Sequence, residues 1–164
     1  MELIRFQEQH VSLIDAYVLS EEQLRFTAHP SKSIPLCKAE PNRHAVLGID
    51  NDHLVVYFAL HEQEGVQPYS ENPRAILLRT LSTEYHELGK GYGKAALQQL
   101  PEFVQHQFPH IDEIVLAVNV ANEFARELYA KYGYQDTGRR VTGSKGMLIV
   151  MSLSIKGLNL EVSK

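Results

Sequence analysis

The sequence predicts an α/β (α+β) domain over residues 1–164, in which helices flank a single mixed, mostly antiparallel, twisted sheet. Three observations predict this class. Short apolar runs flank turn residues as in hairpins, strand-length runs alternate with helical patterns in the second half, and no internal repeat is present. The expected order of elements is β, α, α, β, β, β, α, β, α, β, β. This mixture of hairpins and crossovers excludes a doubly wound parallel fold.

The first half of the chain predicts two helices, a loop and a hairpin. Apolar residues recur at helical spacing over residues 8–19, and Ser20 is typical of an N-cap that opens a second helix over residues 21–27 with a capping box. Residues 28–42 carry three prolines and are predicted to form a loop. Two apolar runs then flank an Asp-Asn-Asp turn, which is typical of a hairpin. The strands expected in this half are residues 3–6, 44–49 and 53–62.

The second half predicts two strand-to-helix passages and a terminal hairpin. Residues 75–82 are apolar and short enough for a buried strand, and residues 91–107 continue at helical spacing. Pro101 lies inside this helix and is expected to kink or restart it. Gly133 is expected to end the next helix. The remaining segments are a strand over 113–118, a helix over 122–132, hairpin strands over 133–141 and 147–155, and a tail or edge segment over 156–164.

Composition excludes several classes of protein. Hydrophobic residues make up 44% of the chain and charged residues 22%, as in ordinary globular domains. The net charge of −4 and the absence of a basic block argue against a nucleic-acid partner. We expect no membrane span and no leader, hence a cytoplasmic protein. Cys37 is the single cysteine, so no internal disulfide is expected. Pro109 interrupts the spacing of His106 and His110, so no metal site is expected.

A glycine-rich segment, ELGKGYGK over residues 87–94, joins strand 75–82 to the following helix. Alternate glycines allow close approach of the backbone to a ligand. Free N–H groups at a helix start form an anion site. The segment departs from the nucleotide-binding loops, since Leu88 stands where the P-loop needs its first glycine and Ala95 where it needs Ser or Thr. It therefore indicates a phosphate site of another kind, with a turn that binds no ligand as the alternative.

The run over residues 76–97 resembles the acetyl-CoA-binding motif of the GNAT superfamily of N-acetyltransferases, Arg/Gln-x-x-Gly-x-Gly/Ala. Gly91 and Gly93 occupy the two glycine positions, and Leu88 departs from the pattern because Arg or Gln is usual there. This departure removes one side-chain contact to the diphosphate but leaves the backbone donors. The resemblance implies acetyl-CoA as the acyl donor and no metal. The cofactor-binding residues that it implies are Leu81, Ser82, Thr83, Gly89, Lys90, Gly91, Tyr92, Gly93, Lys94 and Asn122.

A second run, over residues 116–138, resembles the second motif of the same family. Asn122 and Tyr129 lie seven residues apart in the predicted helix, which places them on one face about 10 Å apart. The alternatives are a plain N-cap for Asn122 and a core aromatic for Tyr129. The resemblance implies a GNAT-like acyl-CoA N-acyltransferase fold over about residues 43–155, with substrate-side helices over about residues 8–27. The matching residues are Asn122, Ala125, Leu128, Tyr129 and Gly133, and Tyr134 replaces the usual Phe.

The resemblance implies direct transfer of an acetyl group from acetyl-CoA to a primary amine of a small molecule. A backbone N–H between Leu81 and Thr83 would polarise the thioester carbonyl, and Tyr129 would be the catalytic acid toward the departing sulfur. Strand 75–82 contains no acidic residue, so no base is assigned. The candidates near it are Glu62, Glu64, Glu84 and His86.

The run SEEQLRF over residues 20–26 resembles the amine-binding region of bacterial polyamine-type acetyltransferases. This implies Glu21, Glu22 and Phe26 as substrate-binding residues, with exposed charges at a helix start as the alternative. Other acceptor classes are a protein amine or an aminoglycoside. A non-catalytic acetyl-CoA sensor and a nucleotide-binding module are the alternatives outside this enzyme class. A homodimer through an edge at strand 147–155 is a further hypothesis.

Overall fold

The elements follow the predicted order, with one helix added. The computed structural model describes residues 1–157. The strands are β1 (Glu2–Arg5), β2 (Arg43–Asp50), β3 (His53–His61), β4 (Ala75–Thr83), β5 (Glu113–Asn119), β6 (Gln135–Gly143) and β7 (Gly146–Ser154). The helices are α1 (Val11–Asp15), α2 (Glu21–Leu24), α3 (Pro30–Ala39), α4 (Tyr92–Gln107) and α5 (Glu123–Lys131). Short 3₁₀ turns precede α1 and lie on either side of β4.

The strands form one seven-stranded sheet in the order β1-β2-β3-β4-β5-β7-β6. Every neighbouring pair is antiparallel except β4 and β5, which run parallel. Parallel neighbours need a crossover connection, and α4 makes it. The predicted mixed, mostly antiparallel sheet is therefore confirmed. The assignment of residues 1–164 to a single domain stays a prediction.

The two faces of the sheet bury different apolar residues. On one face, called the α4 face below, Phe58 and Leu60 of β3 belong to a buried cluster with Leu100 and Val104 of α4. Side chains alternate along a strand, so Tyr57 turns to the opposite face, called the α3 face. A separate cluster buries it there together with Ile14, Ile34 and Leu47.

The first helix is shorter than the predicted range of residues 8–19. A 3₁₀ turn at Glu8–His10 leads into α1, which is only five residues long. Tyr17 lies just beyond α1, where its hydroxyl donates to the Ser82 carbonyl at 2.9 Å and its carbonyl oxygen lies 2.6 Å from His29 Nε2. These tertiary hydrogen bonds hold the chain in an extended path, so the helix ends early.

Ser20 caps α2 as predicted. Its hydroxyl accepts from the Gln23 N–H at 3.2 Å, and the Gln23 side-chain oxygen accepts from the Ser20 N–H at 2.9 Å. This reciprocal pair is the expected capping box. The helix itself ends at Leu24, before the expected residue 27.

The loop predicted over residues 28–42 is wrong, because α3 occupies most of it. Pro30 is the first residue of this helix, where a missing N–H removes no intrahelical bond. The His29 side chain caps the helix by accepting a first-turn N–H at 3.0 Å. Pro35 lies inside the helix, next to Ile34, which is buried in the α3-face cluster. Tertiary packing therefore stabilises a helix that its two prolines argue against.

Pro101 does not restart the predicted helix. α4 runs from Tyr92 through Pro101 to Gln107 in one piece. Leu100 and Val104, on either side of the proline, are both buried in the α4-face cluster. Packing against the sheet thus holds both halves of the helix in place despite the missing hydrogen bond.

The terminal hairpin forms, but its place in the sheet differs from expectation. β7 pairs with β5 on one side and with β6 on the other, so the strand lies inside the sheet. The dimer edge predicted at residues 147–155 is therefore wrong, and the edge strands are β1 and β6. A homodimer itself stays a prediction. Of the expected tail, residues 158–164 lie outside the described residues. Among the helices of the described chain, none has the length and apolar character needed to cross a membrane.

Candidate active site

The two parallel strands separate at the middle of the sheet. β4 and β5 pair only from Ala75 opposite Glu113 to Leu78 opposite Leu116. β4 then continues to Thr83 and β5 to Asn119 without pairing to one another. The resulting opening between their C-terminal halves is called the strand fork below. Unpaired backbone groups in a fork can bind an extended ligand.

A β-bulge in β4 coincides with the beginning of the fork. Thr80 and Leu81 together lie opposite the single residue Phe58 of β3, since the pairing shifts there. Thr80 has a φ of +54°, which is strained for a β-branched residue. A bulge bends its strand, so this one accounts for the divergence of β4 from β5. No local pattern in the sequence predicts it.

The backbone of Thr83 opens toward the fork. The Glu84 N–H donates to the Val55 carbonyl of β3 at 2.9 Å, so the Thr83 carbonyl in the same peptide points away from β3. That carbonyl accepts from Gln23 Nε2 at 2.7 Å. The N–H and the carbonyl of an extended residue point to the same side. The Thr83 N–H therefore faces away from β3, toward the open side of β4.

Ser82 has a different orientation from Thr83. Its side chain is buried, and its hydroxyl lies 2.9 Å from the Tyr17 hydroxyl on the α3 face. The residues predicted to polarise the thioester carbonyl, Leu81, Ser82 and Thr83, are thus not oriented alike. Thr83 opens to the fork, whereas Ser82 packs against the N-terminal part of the chain.

The glycine-rich loop leaves its amide groups free. Gly89 and Gly91 have φ values of +81° and +86°, and a Cβ built at either would meet no atom within 4 Å. The first helical bond of α4 runs from the Ala95 N–H to the Gly91 carbonyl at 3.0 Å. Within residues 1–157, no backbone carbonyl accepts from the N–H groups of residues 89–94. Free donors of this kind at the positive end of a helix can bind an anion.

The loop and the fork lie against one another. A Cβ built at Gly93 would lie 3.4 Å from Thr83 Oγ1, so the start of α4 touches the end of β4. The side chains of the loop are used differently. The Tyr92 hydroxyl donates to Asp50 and has a structural role, and Lys90 Nζ lies 2.9 Å from Glu87 on the exposed surface. The side chains of Tyr92 and Lys90 are therefore held by other contacts, whereas the backbone amides stay available to an anion.

Asn122 caps α5 on the other side of the fork. Its side-chain oxygen accepts from the Ala125 N–H at 3.2 Å, which leaves its amide nitrogen available to a ligand. The helix begins at Glu123, and Asn119 at the end of β5 is separated from Asn122 by two residues. The structure thus shows the N-cap role, which is compatible with the predicted contact to the cofactor.

Tyr129 lies two turns further along α5, half-buried against the α4-face cluster. Its ring contacts the Tyr134 ring edge-on, with a centroid distance of 5.9 Å. Burial raises the pKa of Tyr129 to about 12, from an ordinary value of 10.0. The phenol is therefore protonated at neutral pH, as an acid must be before it acts.

The four candidate bases are all held by other contacts. Glu84 is buried and accepts from the His86 backbone N–H, while the His86 ring nitrogen lies 3.1 Å from the same carboxylate. Glu62 lies 2.8 Å from His44 and 2.6 Å from His110. The remaining candidate, Glu64, accepts from Asn42 at 2.9 Å. Glu84 is the one nearest to the fork along the chain, and its carboxylate caps the 3₁₀ turn after β4.

A cleft of about 550 Å³ lies between α2 and the end of β5. It includes Glu21 and Phe26 of the predicted substrate site, whereas Glu22 is exposed but not among its lining residues. Lys145, in the turn between β6 and β7, closes one side and donates to the Leu24 carbonyl at 2.6 Å. The lining residues of this α2 cleft are Glu21, Leu24, Arg25, Phe26, Asn119, Ala121 and Lys145.

Gln23 joins the α2 cleft to the strand fork, a role that its sequence context does not indicate. We expect Gln23→Ala to raise the KM for the acceptor several-fold while leaving the KM for acetyl-CoA nearly unchanged, because α2 loses its bond to Thr83. Steady-state kinetics with each substrate varied in turn would measure this. Ser20→Ala is the matched control, because it removes half of the capping box and leaves the Gln23 side chain. Equal changes in both KM values would contradict the expectation.

Within the described residues, no group of three or more His, Cys, Asp or Glu side chains is arranged to hold a metal ion.

Comparisons with known proteins agree on the family. The model of the Acetyltransferase (GNAT) family matches residues 9–134. A protein of Bacillus subtilis (strain 168), named "Uncharacterized N-acetyltransferase YbbJ", is 37% identical over 147 residues. That alignment covers 89% of this chain and 92% of the relative.

Solved structures share the fold at low identity. The structure of AAC(6')-Ib in complex with paromomycin and acetyl-CoA has a TM-score of 0.74 and 16% identity, over 93% of this chain and 92% of that one. An aminoglycoside N(6')acetyltransferase from Legionella pneumophila has a TM-score of 0.72 and 20% identity, over 99% of this chain and 95% of that one. The family model and the relative both span most of the chain. The chain therefore belongs to the acetyltransferase (GNAT) family and is an acetyl-CoA-dependent acetyltransferase.

Proposed function

We propose that the protein transfers the acetyl group of acetyl-CoA to a primary amine of a small molecule. The observation that carries the proposal is the contact between the glycine-rich loop and the strand fork. Because Gly93 lies against Thr83, the free amides at the start of α4 lie beside the strand end that has lost its pairing partner. One continuous surface can therefore hold a diphosphate and an extended chain.

The residues present fit acetyl-CoA. The open space at Gly89 and Gly91 admits a bulky anion that any side chain at these positions would obstruct. The amides of residues 89–94 would bind the diphosphate, and the free side-chain nitrogen of Asn122 would bind an amide of the pantetheine arm. Leu88 is half-exposed and contributes no donor in place of the usual Arg or Gln.

Two groups are assigned to the transfer itself. When bound, acetyl-CoA supplies the acyl group as a thioester. The Thr83 N–H stabilises the negative charge that develops on the carbonyl oxygen. As the amine nitrogen bonds to the carbonyl carbon, the carbon–sulfur bond breaks and the Tyr129 hydroxyl donates its proton to the departing sulfur. The proton that the amine nitrogen loses passes to solvent, and solvent returns a proton to Tyr129. The four candidate bases are held by other contacts, so no base is assigned and the amine reaches the fork in its neutral form.

The α2 cleft is proposed as the entrance for the acceptor. Its lining carries one carboxylate, Glu21, and two cations, Arg25 and Lys145. This balance does not favour a polyamine over other amines, although Glu21 and Phe26 stay the proposed contacts to the amine. An aminoglycoside is the alternative acceptor, since solved structures with this fold include aminoglycoside acetyltransferases. A cytoplasmic location stays a prediction.

A panel of amines, followed by release of the free thiol with a thiol-reactive dye, tests the proposal. We expect thiol release above background with at least one small primary amine and none with tertiary amines of similar shape. Background release with every amine, together with normal acetyl-CoA binding by calorimetry, would contradict transfer and favour a non-catalytic sensor.

A further inference from the structure

Hydrogen bonds tie α2 to both arms of the strand fork. At the β4 arm, Gln23 Nε2 donates to the Thr83 carbonyl at 2.7 Å. At the β5 arm, Asn119 Nδ2 donates to the Lys145 carbonyl at 2.8 Å. Lys145 completes the bridge, because its Nζ donates to the Leu24 carbonyl of α2 at 2.6 Å. The α2 cleft is therefore connected to both strand ends between which the proposed transfer takes place.

Large apolar side chains are exposed in and around this cleft. Leu24 and Phe26 both line it, and each is 38% exposed. On the β5 side, the exposed Val120 lies between two residues that line the cleft, and its N–H donates to the carbonyl of Met147, which is also exposed. Single exposed apolar residues are ordinary on a protein surface. Several that meet at one concave site indicate an apolar ligand.

The charged residues of the cleft favour one ammonium group and oppose a second. Glu21 is the one carboxylate among the lining residues, and Arg25 and Lys145 are the two cations. Within residues 1–157, neither cation has a carboxylate within 4.0 Å. Their charges are not neutralised by such a partner, so they repel a second positive charge on a ligand. The Arg25 guanidinium lies over the Phe26 ring, 5.3 Å from its centroid, which places one of these charges at the apolar wall.

We propose that the acceptor is a monoamine whose amino group is carried on an apolar body, such as an alkyl chain or an aromatic ring. The body packs against Leu24 and Phe26, and the amine points to the fork. A cleft of about 550 Å³ is large enough for a molecule of this size. Polyamines and aminoglycosides are disfavoured, because each brings further ammonium groups toward Arg25 and Lys145. The inference deepens the proposed function and rests on it.

A pair of amines of equal length tests the acceptor class. Hexylamine and cadaverine, the five-carbon diamine, have the same number of non-hydrogen atoms, and the terminal methyl group of one is an amino group in the other. We expect kcat/KM for hexylamine to exceed that for cadaverine by at least about tenfold, a factor that corresponds to about 1.4 kcal/mol. Cadaverine has two reactive amines, which favours it statistically, so this comparison is conservative. From propylamine to hexylamine, kcat/KM should rise by roughly threefold per methylene.

Leu24→Ser tests the apolar wall. We expect it to reduce the rise to less than about twofold per methylene, because the alkyl chain loses the side chain that covers it. Leu36→Ser is the matched control, since it removes another exposed leucine from a helix outside the cleft and should keep the full rise. Thermal unfolding shows whether each variant retains the fold. If Leu24→Ser does not fold, the comparison of hexylamine with cadaverine in the wild type decides the question.

Arg25→Gln tests the repulsion of a second ammonium group. We expect it to narrow the preference for hexylamine over cadaverine by about threefold, because one of the two cations of the cleft is removed. The same kinetics measure this change. An unchanged preference would contradict the role of Arg25 in excluding polycations.

Calorimetric titration of the same amines in the presence of CoA separates this inference from the proposed function. Tighter binding of hexylamine than of cadaverine, lost in Leu24→Ser, supports the apolar site even where no amine is acetylated, an outcome that would contradict only the transfer reaction. Equal or better use and binding of cadaverine would overturn the inference and leave amine acetylation standing. A rise with chain length that persists in Leu24→Ser would overturn it as well.

Sedimentation velocity of the wild type and of Leu24→Ser tests the other occupant of the exposed apolar side chains, a second copy of the chain. A dimer that Leu24→Ser dissociates, with no dependence of rate or binding on the length of the amine, would assign these side chains to an interface and overturn the inference. A sedimentation coefficient that is the same in both proteins supports the small apolar acceptor.

Discussion

Gly91→Val is expected to weaken acetyl-CoA binding by on the order of 100-fold, about 2.8 kcal/mol. Gly91 has a φ of +86°, and the space next to it is open. In the proposed function this space holds the diphosphate, so the isopropyl group that valine adds would occupy it. The left-handed conformation adds strain of roughly 1–2 kcal/mol for a residue with a Cβ. Isothermal titration with acetyl-CoA measures the loss of affinity.

Gly138→Val separates the two effects of this substitution. Gly138 lies in the edge strand β6, with a φ of +87° and no atom within 4 Å of a built Cβ. Its backbone strain is therefore matched to that of Gly91, while its position is remote from the glycine-rich loop. Both variants should lose similar thermal stability, and only Gly91→Val should lose acetyl-CoA affinity. Normal affinity in Gly91→Val would mean that the loop has a structural role and does not hold the diphosphate.

Tyr129→Phe is expected to lower kcat by on the order of 10²–10⁴, the usual contribution of a positioned acid. The ring and its edge contact with Tyr134 remain in the variant, so the fold and acetyl-CoA binding should change little. Single-turnover thiol release measures the rate of transfer, and calorimetry measures the affinity for acetyl-CoA. Tyr134→Phe is the matched control, because it removes from the neighbouring ring a buried hydroxyl that has no partner within residues 1–157. An unchanged rate in Tyr129→Phe would remove the acid role.

The pH dependence gives an independent check on Tyr129. Its pKa is raised to about 12, so the phenol keeps its proton until the pH approaches that value and loses the ability to donate only above it. Between about pH 6 and pH 10, the rates of the wild type and of Tyr129→Phe should therefore differ by a constant factor. A difference that disappears as the pH rises toward 10 would place the pKa of the acid in that range, in contradiction with the buried environment of Tyr129.

Local patterns in the sequence determined the elements that carry the chemistry. The glycines at 89 and 91 suit the positive φ of the backbone there, because glycine adopts this conformation without steric cost. The placement of Asn122 and Tyr129 on α5 follows from helical spacing, and Ser20 with Gln23 forms its capping box from neighbours in sequence. Each of these features depends on residues within one or two turns of each other. A single sequence is sufficient to predict such features.

The tertiary structure alone decided the geometry that joins these elements. The fork begins just beyond the pairing of Leu78 with Leu116. Thr80, next to it, has a positive φ, which is disfavoured for a β-branched residue. α3 forms against its prolines because Ile34 packs on the sheet. Contacts between residues distant in sequence produce all of these features, and such contacts cannot be predicted from local periodicity.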